Sequence, residues 1–419
     1  MGSPMVNPVR RLEAARRLFA ALGAGVETGV FVRLWDGSQV AFGNAPDPHL
    51  EISLSEPGVL ASLLRRPTAD NLLRRFAAAQ VDYHGLPILR FGDALRTRLR
   101  RRALRPTRLA RALGHALPLL SARAPKAGEV SAYAGNERGL RRRRDGEFVS
   151  FHYDVPSAFF ALFLGPTMQY SCGWFEGGTE TLEQAQAAKL ERICRHLALR
   201  PGETLLDVGC GWGELVCHAA LYHGARAHGV TLSREQHAYA QERIRKLGLE
   251  DRATVAHDDF ARVKGRWDKI ACIEMFEHVG LENLPAHFRR IRGLLRDDGV
   301  FVHQGGAGRP RRRRRRSRDT RLAQRYLLPG AELPDLGRTV EAMDRAGLEI
   351  RSLENWRLHY LRTTEHWVGR LEAELGEASR LVGRERARLW LLLLAGLHWA
   401  GARSSAQLYH VIAAPRVRG

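Results

Sequence analysis

The sequence predicts an α/β fold of Rossmann-like type: a mainly parallel sheet with helices on both faces, preceded by a small N-terminal α+β domain. Three observations carry this expectation. Strand-like and helix-like patterns alternate from Glu203 to His303. A glycine turn, Gly209-Cys210-Gly211-Trp212-Gly213, separates the first strand of that series from its first helix. The polar candidates Asp207, Thr231, Asp258, Asp259, Glu277 and His303 all fall where strands end. Alternation of this kind implies parallel strands joined by crossover helices, with ligands beyond the carboxyl ends of the strands.

Each element has its own reason. Residues 1–95 open with a helical pattern, Arg10 to Leu22. Gly29 to Ala41 alternates apolar and polar residues around Asp36-Gly37, a hairpin signature. Leu50 to Leu54 reads as a strand and Leu60 to Ala78 as mostly helix. Residues 96–146 are Arg-rich, with Arg dominating 96–111 and 141–144 and Pro106, Pro118 and Pro125 interrupting, which reads as a helical arm and linker. Residues 147–419 form the remaining domain, opening on an aromatic segment with Phe159, Phe160, Phe163, Tyr170, Trp174 and Phe175.

Within that domain Thr204 to Val208 is a buried strand and Glu214 to Tyr222 the helix after the glycine turn. Glycine belongs in such a turn because a Cβ would block a ligand from the backbone. The G-x-G-x-G spacing favours S-adenosylmethionine over a dinucleotide. Strands at 225–231, 253–256, 268–273 and 299–303 alternate with helices at 233–247 and 284–295. The apolar run Leu389 to Gly401 is too short to span a bilayer and reads as a buried helix.

Composition narrows the partners. The chain has 419 residues and a formal net charge of +21, enough length for two or three domains. That charge points to a polyanion, either nucleic acid or an anionic membrane face. Its concentration in Arg is also what a GC-rich genome would give. The five cysteines, Cys172, Cys194, Cys210, Cys217 and Cys272, show no disulfide or metal-ligand spacing. A reducing cytoplasm and no metal are therefore expected. Arg10, Arg11, Arg16 and Arg17 interrupt every apolar run near the start, so no secretory signal is expected.

Several motifs line up with one family. They are H-Y-D at His152 to Asp154, Y-S-C-x-[WY]-F at Tyr170 to Phe175, and A-Q at Ala185-Gln186. G-C-G-W-G at Gly209 to Gly213, G-V-T-L-S-x-E-Q at Gly229 to Gln236 and E-M-F-E-H-V-G at Glu274 to Gly280 follow. L-P-G-x-x-L-P at Leu328 to Pro334 and H-Y-x-x-T at His359 to Thr363, then Trp367, complete the set. In this order they resemble the cyclopropane-fatty-acyl-phospholipid synthases and mycolic acid cyclopropane synthases, which use S-adenosylmethionine. The resemblance covers about two-thirds of the chain strongly and the N-terminal unit only faintly.

The resemblance implies roles. Tyr170, Ser171, Asp207, Gly209, Gly211, Trp212, Thr231, Leu232, Gln236 and Asp259 match cofactor-binding positions. Thr231 and Gln236 can hydrogen-bond hydroxyls, whereas core packing alone would also account for Trp212 and Leu232. A bound bicarbonate ion serves the family as base, and the matching holders are the Cys172 backbone, Glu277, His303 and Tyr360. Two departures stand out. The family has H-x-I where this chain reads His303-Gln304-Gly305-Gly306, which suggests a softer loop. Arg311 to Arg316 is a run of six arginines. His410 stands where the family tends to have Gln.

The implied activity is methylene transfer from S-adenosylmethionine to the cis double bond of unsaturated phospholipid acyl chains, giving cyclopropane fatty acids. The implied setting is cytoplasmic, peripheral on the inner membrane face, and compatible with a homodimer. One alternative stops at a methyl-branched or methylene lipid. Another, a basic nucleic-acid methyltransferase, rests on charge alone. The chain lacks a short N/D-P-P-Y-type motif, and its charge runs lack interleaved aromatics, so no nucleic acid is expected.

Overall fold

The computed structural model describes residues 7–24, 26–98, 106–126, 155–309, 325–326 and 332–416. The chain divides into two compact units. One is Met1–Ser131 with Glu372–Leu392; the other is Ala132–Leu371 with Leu393–Gly419. The H-Y-D motif, the arginines at 141–144 and 311–316, and most of the L-P-G-x-x-L-P motif lie outside the described residues.

The first unit holds a four-stranded sheet in the order β2-β1-β3-β4. The hairpin forms where the alternation places it: β1 (Thr28–Arg33) pairs antiparallel with β2 (Gln39–Phe42), Val32 opposite Val40. Its turn is fixed locally. Asp36 Oδ1 accepts the Ser38 N–H at 3.0 Å, and Gly37 takes a φ of +85° that an L side chain resists. β3 (Ala45–Leu54) runs parallel to β1, and β4 (Val81–His84) closes the sheet. The stretch over 60–78, read as mostly helix, is two helices, Pro57–Arg65 and Ala69–Ala77. Pro67 interrupts between them, and Thr68 caps the second by accepting the Asn71 N–H.

Where the sequence suggests a separate arm over 96–146, the helix Pro106–Leu120 buries Ala112, Ala116 and Leu119 in the same core as Ala15, Leu18 and Val30. The four–three spacing of those residues gives the helix one apolar side. The segment 372–392 is tied into this unit by polar anchors. Arg388 donates to Asp82 Oδ1 and to the Phe76 carbonyl, each at 2.7 Å, and Glu372 accepts the Ile88 N–H at 2.9 Å.

The second unit holds a seven-stranded sheet in the order β10-β11-β9-β8-β5-β6-β7. β5 (Thr204–Val208), β6 (Arg226–Thr231), β7 (Ala253–His257), β8 (Trp267–Ile273) and β9 (Leu295–Gly308) are parallel. β11 (Ala406–Pro415) lies antiparallel between β9 and β10 (Leu348–Asn355). The α/β expectation therefore holds, with the chain turning to opposite sides of β5. That reversal is where open α/β sheets bind ligands.

One expected loop is not a loop. His303, Gln304, Gly305 and Gly306 lie inside β9, opposite Val411, His410, Tyr409 and Leu408. The strand runs past His303 because β11 pairs along it. The glycines fit tight spaces: a Cβ on Gly305 would come within 2.9 Å of His303 Nε2, and one on Gly306 within 2.8 Å of Leu333. The run Leu389 to Gly401 lies in the helix Arg384–Ala402, with Leu389, Trp390, Leu391 and Leu394 buried as expected. Among the described residues no helix is long and apolar enough to cross a membrane.

Candidate active site

The carboxyl ends of β5, β6 and β8 open into a cavity of about 490 Å³, within the roughly 300–1,000 Å³ usual for small-molecule sites. All ten residues matched to cofactor binding line it: Tyr170, Ser171, Asp207, Gly209, Gly211, Trp212, Thr231, Leu232, Gln236 and Asp259. Gly209, Gly211 and Gly213 have φ of +78°, +54° and +82°. The first and last serve packing, since a Cβ would meet Met275 at 2.4 Å or Ala240 at 2.8 Å. A Cβ on Gly211 would meet no protein atom within 4 Å, so its space belongs to the cavity.

Local bonding sets the other walls. Thr231 donates its hydroxyl to Gln236 Oε1 at 2.7 Å, which leaves the Gln236 amide hydrogens for a partner. Asp259 caps the short turn Phe260–Arg262 through the Ala261 N–H. Trp212 is both core and wall: it is buried, donates from Nε1 to Ser157 Oγ at 3.0 Å and packs against Phe160. Gln169 also lines the cavity, and its buried Oε1 and Nε2 have no hydrogen-bond partner. An open place at Gly211 beside unsatisfied amides fits a polar ligand lying on the glycine turn.

Two residues that the motifs do not single out for chemistry, Lys189 and Glu274, also line this cavity. Lys189 comes from the helix Leu182–His196, which starts with a capping box between Thr181 and Gln184. Its Nζ donates to Ser171 Oγ at 2.8 Å. Burial lowers its pKa to about 8, against the pull of Glu274, Cys172, Glu214 and Asp207. Burial raises Asp207 to about 7, with Lys189 opposing, and raises Glu274 to about 7, with the Glu277 charge adding. Low-dielectric walls penalise each charge separately, and the opposite charges partly offset that penalty.

The backbone donor that the resemblance gives to bicarbonate is taken by Glu274. The Cys172 N–H donates to Glu274 Oε1 at 2.8 Å, and Gln304 Nε2 donates to the same oxygen at 2.7 Å. The Gly306 N–H is engaged too, donating to Glu277 Oε1 at 2.7 Å. A separate bicarbonate does not fit this arrangement, because a carboxylate of the chain already takes the Cys172 donor.

The four residues matched to the ion, Cys172, Glu277, His303 and Tyr360, stand outside the cavity lining. Cys172 and Tyr360 pack with Trp356 and Leu408. His303 is enclosed by Phe276, Phe288 and Phe301, its Nδ1 without a partner. Burial holds it neutral, near a pKa of about 3. Burial and then the Glu274 charge push the Tyr360 hydroxyl well above its ordinary range. His410 Nδ1 donates to Gln304 Oε1 at 3.2 Å and its Nε2 lies 2.8 Å from His196 Nδ1, which fixes the amide that faces Glu274.

Of the six aromatics in the segment that opens this domain, Tyr170 alone lines the cavity. Phe159, Phe160 and Phe163, on the helix Ser157–Leu164, are fully buried core, as their four-residue spacing also allows. Trp174 is covered by Arg192 at 4.0 Å, and Phe175 stacks on His366. Away from the cavity, donor atoms of Cys194, His218 and His223 lie within 4.8 Å of one another. Sequence spacing hides this cluster because two helices assemble it, and Glu191 Oε2 already lies 3.0 and 3.5 Å from the two imidazoles.

Residues 140–411 match the family model of mycolic acid cyclopropane synthetase. A probable fatty acid methyltransferase of Pseudomonas putida is 33% identical over 385 residues, covering 91% of each chain. A probable fatty acid methyltransferase of Mycobacterium tuberculosis is 37% identical over 277 residues, 65% of this chain and 63% of that protein. Among solved structures, the cyclopropane synthase MmaA2 of Mycobacterium tuberculosis superposes with a TM-score of 0.62 at 28% identity, over 64% of this chain and 98% of that one. The mycolic acid cyclopropane synthase CmaA1, complexed with SAH and CTAB, gives 0.61 at 29% identity, over 64% and 97%.

Proposed function

The chain belongs to the mycolic acid cyclopropane synthetase family, and we propose that it transfers a methyl-derived carbon from S-adenosylmethionine to the cis double bond of an unsaturated acyl chain in a membrane phospholipid, closing a cyclopropane ring. The observation that carries this reading is one cavity in which the glycine turn at Gly211 and the half-buried Glu274 both stand. It can hold a nucleoside-bearing donor and a proton acceptor in one enclosure.

When bound, S-adenosylmethionine supplies an electrophilic methyl group on a positively charged sulfur. Gly211 lets it approach the backbone, and the Gln236 amide and the Asp259 carboxylate in the same cavity can hydrogen-bond its polar groups. Asp207, Glu214 and Glu274 surround the space with carboxyls that favour a cation once ionised. An olefin is a nucleophile without prior deprotonation, so no strong base is needed for attack. The product is a carbocation on the acyl chain. Tyr170 can face that cation with its ring, and Trp212 and Met168 help keep water away.

A second reading stays within acyl C-methylation and leaves an open methyl-branched or methylene chain. The relative that aligns over 91% of this chain favours it, since its name specifies a fatty acid methyltransferase. Incubation with monounsaturated phosphatidylglycerol vesicles and labelled donor separates the two. Ring closure adds one CH₂ in mass and removes the double bond; a methylene or methyl-alkene product keeps one. Label absent from every acyl chain rejects both.

The surface charge suggests where the substrate is met. The net charge of +21 favours an anionic membrane face, at about 1 kcal/mol per basic residue close to the surface before screening. Flotation with anionic vesicles should weaken as salt rises. Equal, salt-independent binding to neutral vesicles would leave the charge without this role.

A further inference from the structure

We propose that Glu274 is the proton acceptor of the reaction, a carboxylate carried by the chain itself in the place where the resemblance puts a bound bicarbonate. The inference rests on the functional reading above and deepens it.

Four observations support it. Glu274 lines the cavity at the end of β8, beside the glycine turn. Its Oε1 is fixed by two donors, the Cys172 N–H and Gln304 Nε2. Its Oε2 carries no hydrogen bond among the described residues, so one oxygen is anchored and the other remains able to take a proton. Its backbone holds φ at +53°. Glycine adopts that conformation without cost, whereas a side chain there is strained by about 1–2 kcal/mol. Strain kept at a cavity wall, by a residue whose carboxyl then satisfies a buried N–H, indicates a selected position for that carboxyl.

The ionisation state suits the task. A carboxyl near pKa 7 is a stronger base than an exposed one and is still largely ionised at pH 7.5–8. The groups that set it are Glu277 after β8, Lys189 on the helix Leu182–His196, and the two neutral donors Cys172 and Gln304. Tyr170 and Tyr360 complete the titratable surroundings. Lys189 keeps the site from carrying an unbalanced negative charge.

The step balances as follows. The olefin π pair forms the new C–CH₃ bond while the S–CH₃ bond breaks, and sulfur keeps that pair as a neutral thioether. The neighbouring carbon becomes a cation. Glu274 Oε2 takes a proton from the new methyl group, and the freed C–H pair closes the three-membered ring. If the proton comes from the chain instead, the same pair forms an alkene. Neither route needs an oxidant or a reductant. A saturated methyl branch would require a hydride donor and is not part of this proposal.

The test uses the full chain, saturating S-adenosylmethionine and monounsaturated phosphatidylglycerol vesicles. Glu274→Gln keeps the shape and removes the base, so turnover should fall about 10²- to 10⁴-fold. Wild type should run at the same rate in CO₂-depleted and bicarbonate-supplemented buffer. Glu274→Gly relieves the backbone and frees the Cys172 donor, so added bicarbonate or formate should restore part of its rate; a purely structural role would not respond to small carboxylates. With a trideuteromethyl donor, Glu274→Gln should show a larger isotope effect than wild type. A wild-type enzyme that depends on bicarbonate, or Glu274→Gln at full rate, overturns the inference while leaving acyl methylation intact. A wild type that labels no acyl chain defeats the functional reading itself, and the inference with it.

Discussion

The two sides of the cavity are built in different ways. The glycine-turn side is made by one continuous run, Asp207 to Gly213, with Thr231 to Gln236 on the next strand end. Its essential property is backbone shape, set by positive φ at Gly209, Gly211 and Gly213. The opposite side is assembled from distant segments: Lys189 is held by the Ser171 hydroxyl, and Glu274 by the Cys172 N–H and the Gln304 amide behind the wall. Backbone shape travels with the motif that encodes it. A pocket filled by side chains can change its contents while every surrounding motif stays recognisable, and here the Cys172 N–H, matched to an ion by the resemblance, is taken by Glu274.

The largest expected effect lies on the backbone side. Gly211→Val combines a β-branched residue at positive φ with a Cβ projected into the ligand's space. S-adenosylmethionine affinity should drop at least about 100-fold, given about 1–2 kcal/mol of strain plus the lost approach. Calorimetry on the folded variant measures it, and undiminished binding would remove the distinction between the two sides.

A smaller effect is expected behind Glu274. Glu277 does not line the cavity; it anchors the Gly306 N–H and raises the Glu274 pKa by its charge. It acts as a positioning residue. Glu277→Gln should lower turnover by about tenfold, less than a lost general base. The acid limb of the pH–rate profile should also move to lower pH, because removing a negative neighbour eases ionisation of Glu274. A loss as large as that of Glu274→Gln with an unmoved profile would return the proton-accepting role to Glu277.

The smallest effect is on stability, and the sign follows from linkage. Burial raises the folded pKa values of Asp207 and Glu274 to about 7, well above the ordinary carboxyl range. Their contribution is complete only below the ordinary carboxyl range and is lost as pH rises from there through 7. Burial holds His287, His303 and His410 at about 4, 3 and 3, below the ordinary imidazole value of about 6.5. Their contribution is complete above 6.5 and is lost as pH falls below it. The Tm of the ligand-free protein should therefore fall from pH 6.5 to 8, and S-adenosylmethionine, a cation favouring ionised carboxyls, should offset the fall. In Glu274→Gln the fall should be shallower. A wild-type Tm that climbs steadily across that interval would contradict the buried carboxyls.

Much of this was legible before any coordinates. The ten residues matched to the cofactor came from the family resemblance; the alternation of strand and helix from 203 onward and the glycine turn are local or short-range patterns. Each follows from residue period, glycine placement and capping, so the sequence by itself determined them. Tertiary structure alone decided the rest. β11 turns His303–Gly306 from an apparent loop into a paired strand. The helix Pro106–Leu120 joins the first unit's core through three buried side chains. Glu274 reaches a backbone amide 102 residues away. Long-range pairing and side-chain occupancy leave no periodic trace in one chain, because the partners are set by how separate segments pack and not by their spacing along it.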